Sequence, residues 1–413
     1  MSFVRKISLT SWIFIGLVAG ILTGVFFPEF SKHLSPISNI FLRLIRSIVG
    51  PLLFGTLVYG IASAGELKTM GRIALKALIY FEIATTLALV IGLLTVNIMR
   101  PGTGLRLAGG PAGASALANP VSLSQVLEHA VPSNIFESLA QNDVLEMVIF
   151  FFLFGAACSA IGAKAQPVVN FAASVAEVMF RYTKYAMYLA PFGVAAAIAV
   201  TIGSKGLGVL FGLGKLVGTL YLAQAVCVLV VLGASLVIAR VPIGRFWQAA
   251  RQPFLIAYST ASSEAALPLA LENMERFGVP KHIVGFVLPT GYSFNLIGST
   301  LYLSLASMFI AQAADMRMPL ASQISMMLTL MLMSKGTAGV PRGALVVLAG
   351  ALATFQLPPE GITLILGVDA LMDMCRTSVN VLGNCVATAV VARWERVPFT
   401  RVGGEVEIAV AGS

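Results

Sequence analysis

The chain has 413 residues, of which 58% are hydrophobic and only 11% charged, with a mean hydropathy of +0.90 and a formal net charge of +9. Soluble domains carry about twice that charge fraction, so a soluble multidomain protein is excluded and a polytopic membrane protein is expected. The positive balance is not a nucleic-acid signal: the cations gather at the ends of apolar runs, as Arg5 and Lys6, as Lys68, Arg72 and Lys76, and as Arg393, Arg396 and Arg401. By the positive-inside rule those ends, and with them both termini, face the cytoplasm.

In chain order, apolar runs of about 20 residues place spanning helices at Ile7–Phe27, Ile40–Ala62, Ala74–Met99, Val144–Ile161, Tyr182–Ile202, Gly214–Ile238, Ile283–Ile310 and Gly361–Val391. The first run is too long for a signal-peptide core and lacks a convincing cleavage site, so it reads as a retained helix. Residues 101–125, with Pro101, Gly102, Gly109, Gly110 and Pro111, read as a loop. Cys158, Cys227, Cys375 and Cys385 lie in apolar segments without metal-ligand spacing, and read as small buried apolar residues.

Two segments do not read as simple helices. Ile243 to Phe277 carries Ser259-Thr260-Ala261-Ser262-Ser263-Glu264 at its middle, and Ser322 to Leu357 carries Ser334-Lys335-Gly336-Thr337-Ala338-Gly339-Val340-Pro341. Each has two apolar arms and a small polar tip, and each precedes a helix with an asparagine, Asn295 and then Asn380. A hairpin-plus-helix unit occurring twice predicts an internal repeat with two re-entrant hairpins. Interrupted helices in corresponding positions point to a transporter binding site. Their free backbone groups are tolerated at membrane depth only where they line a cavity. N–H groups at helix N-termini attract carboxylates, and freed carbonyls coordinate cations. Ser293 to Ser299 is expected to break the seventh helix similarly.

The last span is the most polar. At about 100° per residue, Asp369, Asp373, Arg376, Thr377, Asn380 and Asn384 fall within an arc about 100° wide. Ionisable groups at membrane depth are costly and are usually turned inward and used. A face with two carboxylates, a guanidinium, a hydroxyl and two amides suits a small zwitterion or diacid and its coupling to a cation. Plainer roles stand beside this one: Asp369 pairing with Arg376 across two turns, Glu264 ending a hairpin helix, and Glu82 facing a polar seam. A purely structural Arg376 would still need an anionic partner. Paired aspartates also occur in intramembrane proteases, but such dyads sit on two helices close enough to share a proton. No phosphate-binding Gly-x-x-x-x-Gly-Lys-Ser/Thr loop occurs, and the polar face alone does not separate a transporter from a channel.

Four motifs then occur in order: Ser259-Thr-Ala-Ser-Ser-Glu-Ala-Ala-Leu-Pro268, Pro289-Thr-Gly-Tyr-Ser-Phe-Asn295, Gly336-Thr-Ala-Gly-Val-Pro341 and Asp373-Met-Cys-Arg-Thr-Ser-Val-Asn-Val-Leu-Gly-Asn384. The chain resembles, over nearly its whole length, the glutamate transporter family of dicarboxylate/amino acid:cation symporters, and most its bacterial proton-coupled branch. The resemblance implies an all-α fold of eight transmembrane helices and two re-entrant hairpins arranged as inverted repeats, a homotrimer in the bacterial inner membrane, and elevator-type transport. Residues 1–66 and 103–205 would form the scaffold, and 67–102 and 206–413 the transport domain. It implies no cofactor.

The resemblance also assigns roles. Arg376 would bind the substrate's side-chain carboxylate, for which its bidentate fork is suited. Asp373 would hold the ammonium, and Thr377 and Asn380 the amino-acid end. Ser299 would support the side-chain carboxylate, while Ser263, Gly339 and Val340 would offer backbone at the tips. Neutral amino-acid branches tend to lose the arginine and C4-dicarboxylate branches the aspartate, so retention of both favours glutamate or aspartate. Asp369, Asp373, Asn295, Asn384, Thr337, Glu82 and Glu264 are the candidates for cation or proton coupling.

The departures concern sodium. Asn384 stands where sodium-coupled members have an aspartate, Ile297 where nearly the whole family has one, and Phe81 where a tyrosine helps a sodium site. Protons are therefore favoured as the coupling ion. A sodium site of backbone carbonyls near Thr337 would survive these changes. His33, His129 and His282 lie at segment ends and are poor proton carriers. Leu303 stands where animal relatives have a proton-binding glutamate. Asp369 or Asp373 is the expected carrier, since a desolvated carboxylate protonates more readily.

Overall fold

The computed structural model describes residues 9–63, 71–105, 131–141, 144–206, 208–334, 343–358 and 360–399. Among these the chain is helical, without strands. The first half comprises α1 (Leu9–Phe26), α2 (Pro28–Lys32), α3 (Ser35–Ser63), α4 (Gly71–Met99), α5 (Ile135–Gln141), α6 (Val144–Ile161), α7 (Gln166–Met187) and α8 (Ala190–Lys205). Next, α9 (Gly208–Cys227) runs through a π turn (Val228–Gly233) into α10 (Ala234–Ile238). The remaining helices are α11 (Ile243–Thr260), α12 (Ser263–Phe277), α13 (Lys281–Phe294), α14 (Ile297–Ala313), α15 (Leu320–Ser334), α16 (Gly343–Thr354), α17 (Glu360–Leu366) and α18 (Asp369–Trp394).

Gly71–Met99, Glu146–Met179, Gly208–Ile238 and Lys281–Ala313 are long and apolar enough to cross a membrane, and Ser11–Phe26, Gly50–Ala62, Ala190–Ser204 and Leu320–Ser334 are shorter apolar helices. The α4 helix shows how composition sets placement. Ala77, Phe81, Ala84 and Ala88 are buried, while Ile79, Ile83, Leu87, Val90 and Leu94 form an exposed apolar stripe. A helix apolar on every side belongs in lipid or a large core. Small residues let neighbouring backbones close up: Gly16 and Gly20 on α1 leave no room for a Cβ against the Pro191 and Ala195 carbonyls of α8.

The packing sorts the helices. Helix α1 lies along α8, and α3 against α6, α7 and α8. Helices α4, α9, α13 and α14 gather round α18, and α11 and α12 form a hairpin against it. That hairpin falls within Ile243–Phe277 as its apolar arms predict. It reverses at Ala261, in the left-handed region at φ 49°, and at the extended Ser262, whose hydroxyl accepts the Ala265 N–H at 3.3 Å. The second hairpin's arms are α15 and α16, which pack together. Its expected tip, with Thr337, Gly339 and Val340, lies outside the described residues.

Two expected spans differ in detail, and a third breaks where expected. The span predicted over Tyr182–Ile202 divides: α7 ends at Met187, and α8 restarts at Ala190 with Pro191 in its first turn. Residues 166–181, outside every expected span, belong to α7, whose Gln166, Asn170, Glu177 and Arg181 dilute its hydropathy. The span predicted over Gly361–Val391 is interrupted at Gly367–Val368, so Asp369 opens α18. Lys281–Ala313 breaks at Asn295–Leu296, as the Ser293–Ser299 motif predicts.

Candidate functional site

All six polar residues of the predicted face lie on α18 and are buried: Asp369, Asp373, Arg376, Thr377, Asn380 and Asn384. Arg376 is 1% exposed, a burial that demands anionic partners. Its Nη1 donates to Asp369 Oδ1 at 2.8 Å, its Nη2 reaches Asp369 Oδ2 at 3.5 Å, and its Nε donates to Asp373 Oδ1 at 2.9 Å. The seven-residue spacing brings Asp369 onto the guanidinium because the side chain runs back along the helix towards its N-terminus. Tyr302 completes the cage from α14. Its ring lies under the guanidinium with Cζ 4.3 Å from the centroid, and its hydroxyl donates to Asp369 Oδ1 at 3.3 Å. The Thr377 hydroxyl donates to Asp373 Oδ1 at 3.3 Å. The pairing of Asp369 with Arg376 is thus present, together with the second carboxylate.

One turn further along, α18 holds the break between α13 and α14. Asn295 and Leu296 leave helical geometry at ψ 60° and 61°, which frees the first N–H groups of α14. Asn380 Oδ1 accepts two of them, from Gly298 at 2.8 Å and Ser299 at 3.2 Å, while its Nδ2 donates to Ser299 Oγ at 2.9 Å. A Cβ at Gly298 would collide with the Arg376 carbonyl oxygen, so glycine permits α14 to start against α18.

The third cluster contains Asn295, Ile297 and Asn384, all fully buried. Asn295 Nδ2 donates to Asn384 Oδ1 at 2.9 Å. The remaining amide atoms, Asn295 Oδ1 and Asn384 Nδ2, have no hydrogen-bond partner. Ile297 turns its δ-methyl to Gly383, where a Cβ would stand 2.8 Å from it. Hydrocarbon therefore packs at Gly383, next to Asn384. Phe81, on α4, is likewise fully buried. A dehydrated sodium ion requires oxygen ligands, and carboxylates supply both oxygen and charge. Two amides and an isoleucine offer no negative charge here, so this residue set does not fit a carboxylate-built sodium site. No group of three or more His, Cys, Asp or Glu with metal-binding geometry occurs among the described residues.

Two expected coupling residues lie outside these clusters. Glu82 is exposed on α4, and Glu264 is exposed in the first turn of α12. Ser263, between the Ser262 cap and Glu264, is buried. The structure also adds residues that the sequence reading passed over. Tyr302 forms the floor of the guanidinium site. Tyr221 on α9 donates to the Leu371 carbonyl at 3.0 Å and lies 3.2 Å from the Tyr258 hydroxyl of α11. Gln224 on α9 donates to the Gly298 carbonyl at 2.8 Å. Each is an uncharged polar side chain in an apolar run, a signal weaker than a charge at the same depth.

A buried cationic fork set against carboxylates, beside a broken helix and a helical hairpin, is the kind of site found in secondary transporters with interrupted helices. Residues 9–394 match the sodium:dicarboxylate symporter family. The chain is 45% identical to a proton/sodium-glutamate symport protein of Geobacillus stearothermophilus, over 95% of each chain. It is 41% identical to a proton/glutamate-aspartate symporter of Bacillus subtilis, over 93% of this chain and 94% of that one. It is 40% identical to a C4-dicarboxylate transport protein of Rhizobium johnstonii, over 92% of this chain and 87% of that one. The chain belongs to the sodium:dicarboxylate symporter family; it is a membrane transporter, not an enzyme.

Proposed function

We propose that this chain imports acidic amino acids, L-glutamate or L-aspartate, by symport with protons. The observation that carries the reading is the Arg376 guanidinium, buried on Tyr302 between Asp369 and Asp373. One guanidinium against two carboxylates leaves the cluster formally anionic. An acidic amino acid brings a further net negative charge into a site where unpaired charge is expensive. Substrate therefore enters with compensating cations. Arg376 exchanges an internal carboxylate for the substrate's side-chain carboxylate. Asp373 turns to the ammonium and stays ionised, and Asp369, displaced from the guanidinium, takes the proton. Thr377, Asn380 and Ser299 fix the two ends, with the backbone at Ser263, Gly339 and Val340 closing over the main carboxylate. The buried Ile297 and the neutral Asn295–Asn384 pair support protons over sodium at this position.

The packing of α1, α3, α6, α7 and α8 mainly against one another, and of α4, α9 and α11 to α14 mainly round α18, supports a scaffold of residues 1–66 and 103–205 and a moving transport domain of 67–102 and 206–413. With the family resemblance it supports a homotrimer working as an elevator, with eight spans and both termini in the cytoplasm of a bacterial inner membrane. A second reading, C4-dicarboxylate symport, is favoured by the names of several relatives. Sodium-coupled aspartate symport would depend on the carbonyl site near Thr337.

Uptake of labelled L-aspartate into proteoliposomes tests the reading. Saturable accumulation against a gradient, abolished by Arg376→Ala, is expected. Flux that does not saturate would indicate an anion channel instead.

A further inference from the structure

Gly298 is the point at which three helices meet behind the guanidinium site. Its N–H is held by Asn380 from α18, and its Cα faces the Arg376 carbonyl. Its own carbonyl accepts the Gln224 Nε2 of α9 at 2.8 Å. Gln224 is 1% exposed, and its Oε1 has no hydrogen-bond partner. A side chain kept only for packing would be better served by leucine or methionine, because an unsatisfied buried acceptor costs stability. Three residues earlier on the same helix, Tyr221 donates to the Leu371 carbonyl at the start of α18 and lies against Tyr258, near the hairpin tip. The α9 helix thus reaches both the break and the hairpin with polar groups, one turn before its π turn, a feature that recurs at functional sites.

We propose that Gln224 is a positioning residue for substrate recognition. By fixing the Gly298 carbonyl from α9 while Asn380 fixes its N–H from α18, it sets Ser299 Oγ relative to the Arg376 guanidinium. It touches no substrate; it acts through the Gly298 peptide. The inference rests on the substrate site proposed above. Small displacements of positioning groups have large effects on recognition, so the affinity for substrate, and the choice between aspartate and the longer glutamate, depend on this contact.

Three forms of the full-length protein in proteoliposomes test this: parent, Gln224→Leu and Gln224→Glu. Gln224→Leu removes the donor. It is expected to raise KM for L-aspartate at least tenfold and to change the aspartate/glutamate selectivity, with the maximal rate per folded transporter within about twofold of the parent. Gln224→Glu keeps the shape but donates to Gly298 only when protonated. Its KM, divided by that of the parent at each pH, is expected to fall towards one as pH is lowered. This ratio cancels the parent's own pH dependence, and it serves as the test if Gln224→Leu does not fold. Parental KM and selectivity in Gln224→Leu would overturn the inference. A ratio for Gln224→Glu that stays flat or rises on acidification would also overturn it. A parent that binds neither amino acid would overturn the site reading, and this inference with it.

Discussion

The Arg376 guanidinium lies over the ring of Tyr302, with Cζ 4.3 Å from the centroid, while the Tyr302 hydroxyl bonds the same Asp369 carboxylate that the guanidinium does. Stack and hydroxyl therefore hold the ion pair from two sides. Tyr302→Phe keeps the ring and removes one hydrogen bond to a charged group, a loss of about 1.5–3 kcal/mol. Tyr302→Leu also removes the cation–π contact, worth about 2 kcal/mol when desolvated. Thermal unfolding in detergent and L-aspartate binding should fall in the order parent, Tyr302→Phe, Tyr302→Leu.

Arg376→Lys should be nearly as damaging as Arg376→Ala. The ammonium is a compact point charge without the planar fork, and cannot reproduce two-carboxylate pairing with a ring stack. Removing the cation leaves Asp369 and Asp373 buried without it, a penalty of about 3–5 kcal/mol. Both variants should lose acidic amino-acid uptake at least 100-fold at matched expression.

Asp373→Asn separates the two substrate readings. In the amino-acid account this residue meets the substrate ammonium, so KM for aspartate and glutamate should rise about 100-fold, equivalent to about 2.7 kcal/mol. Succinate has no ammonium and should be affected by less than about tenfold. Equal losses for both substrate classes would place Asp373 in the structural cage rather than at the substrate.

At the cytoplasmic end proposed for the site, Glu395 accepts from Lys76 Nζ at 2.7 Å and pairs with Arg72, joining the end of α18 to the start of α4. The Lys76 hydrogen bond, followed by that from Arg72, holds the Glu395 carboxyl below the usual carboxylate range. A lowered folded-state pKa gives stability that is fully present above the unfolded value, about 4.3, and is lost as pH falls through the folded value. Glu395→Gln should destabilise the protein by roughly 0.5–1 kcal/mol at pH 7. The difference from the parent should shrink below about pH 4, as thermal unfolding at a series of pH values would show.

Much of this was legible in the residues. The first hairpin showed as two apolar arms round Ser259–Glu264, and its helices run from Ile243 to Phe277. The arc of Asp369, Asp373, Arg376, Thr377, Asn380 and Asn384 was legible because one helix imposes one period, and all six lie on α18. The interruption at Gly367–Val368 was not: it falls where a side chain at Gly367 would collide with Ile198 of α8, a contact between helices that no local pattern reveals. The α7 helix escaped a search for apolar runs because its polar residues lower its hydropathy. Tyr302 and Gln224 escaped because each is a single neutral polar group, meaningful only once a partner from another helix is known.

Protons rather than sodium are proposed to drive acidic amino-acid uptake, because Ile297 and the Asn295–Asn384 pair leave the third cluster without charge. The most direct measurement is uptake of labelled L-aspartate and L-glutamate into proteoliposomes, under an inward proton gradient without sodium and then under an inward sodium gradient at symmetric pH. The account predicts accumulation with the proton gradient alone and none with sodium alone. Accumulation only with sodium would contradict it and shift the coupling site to the backbone near Thr337.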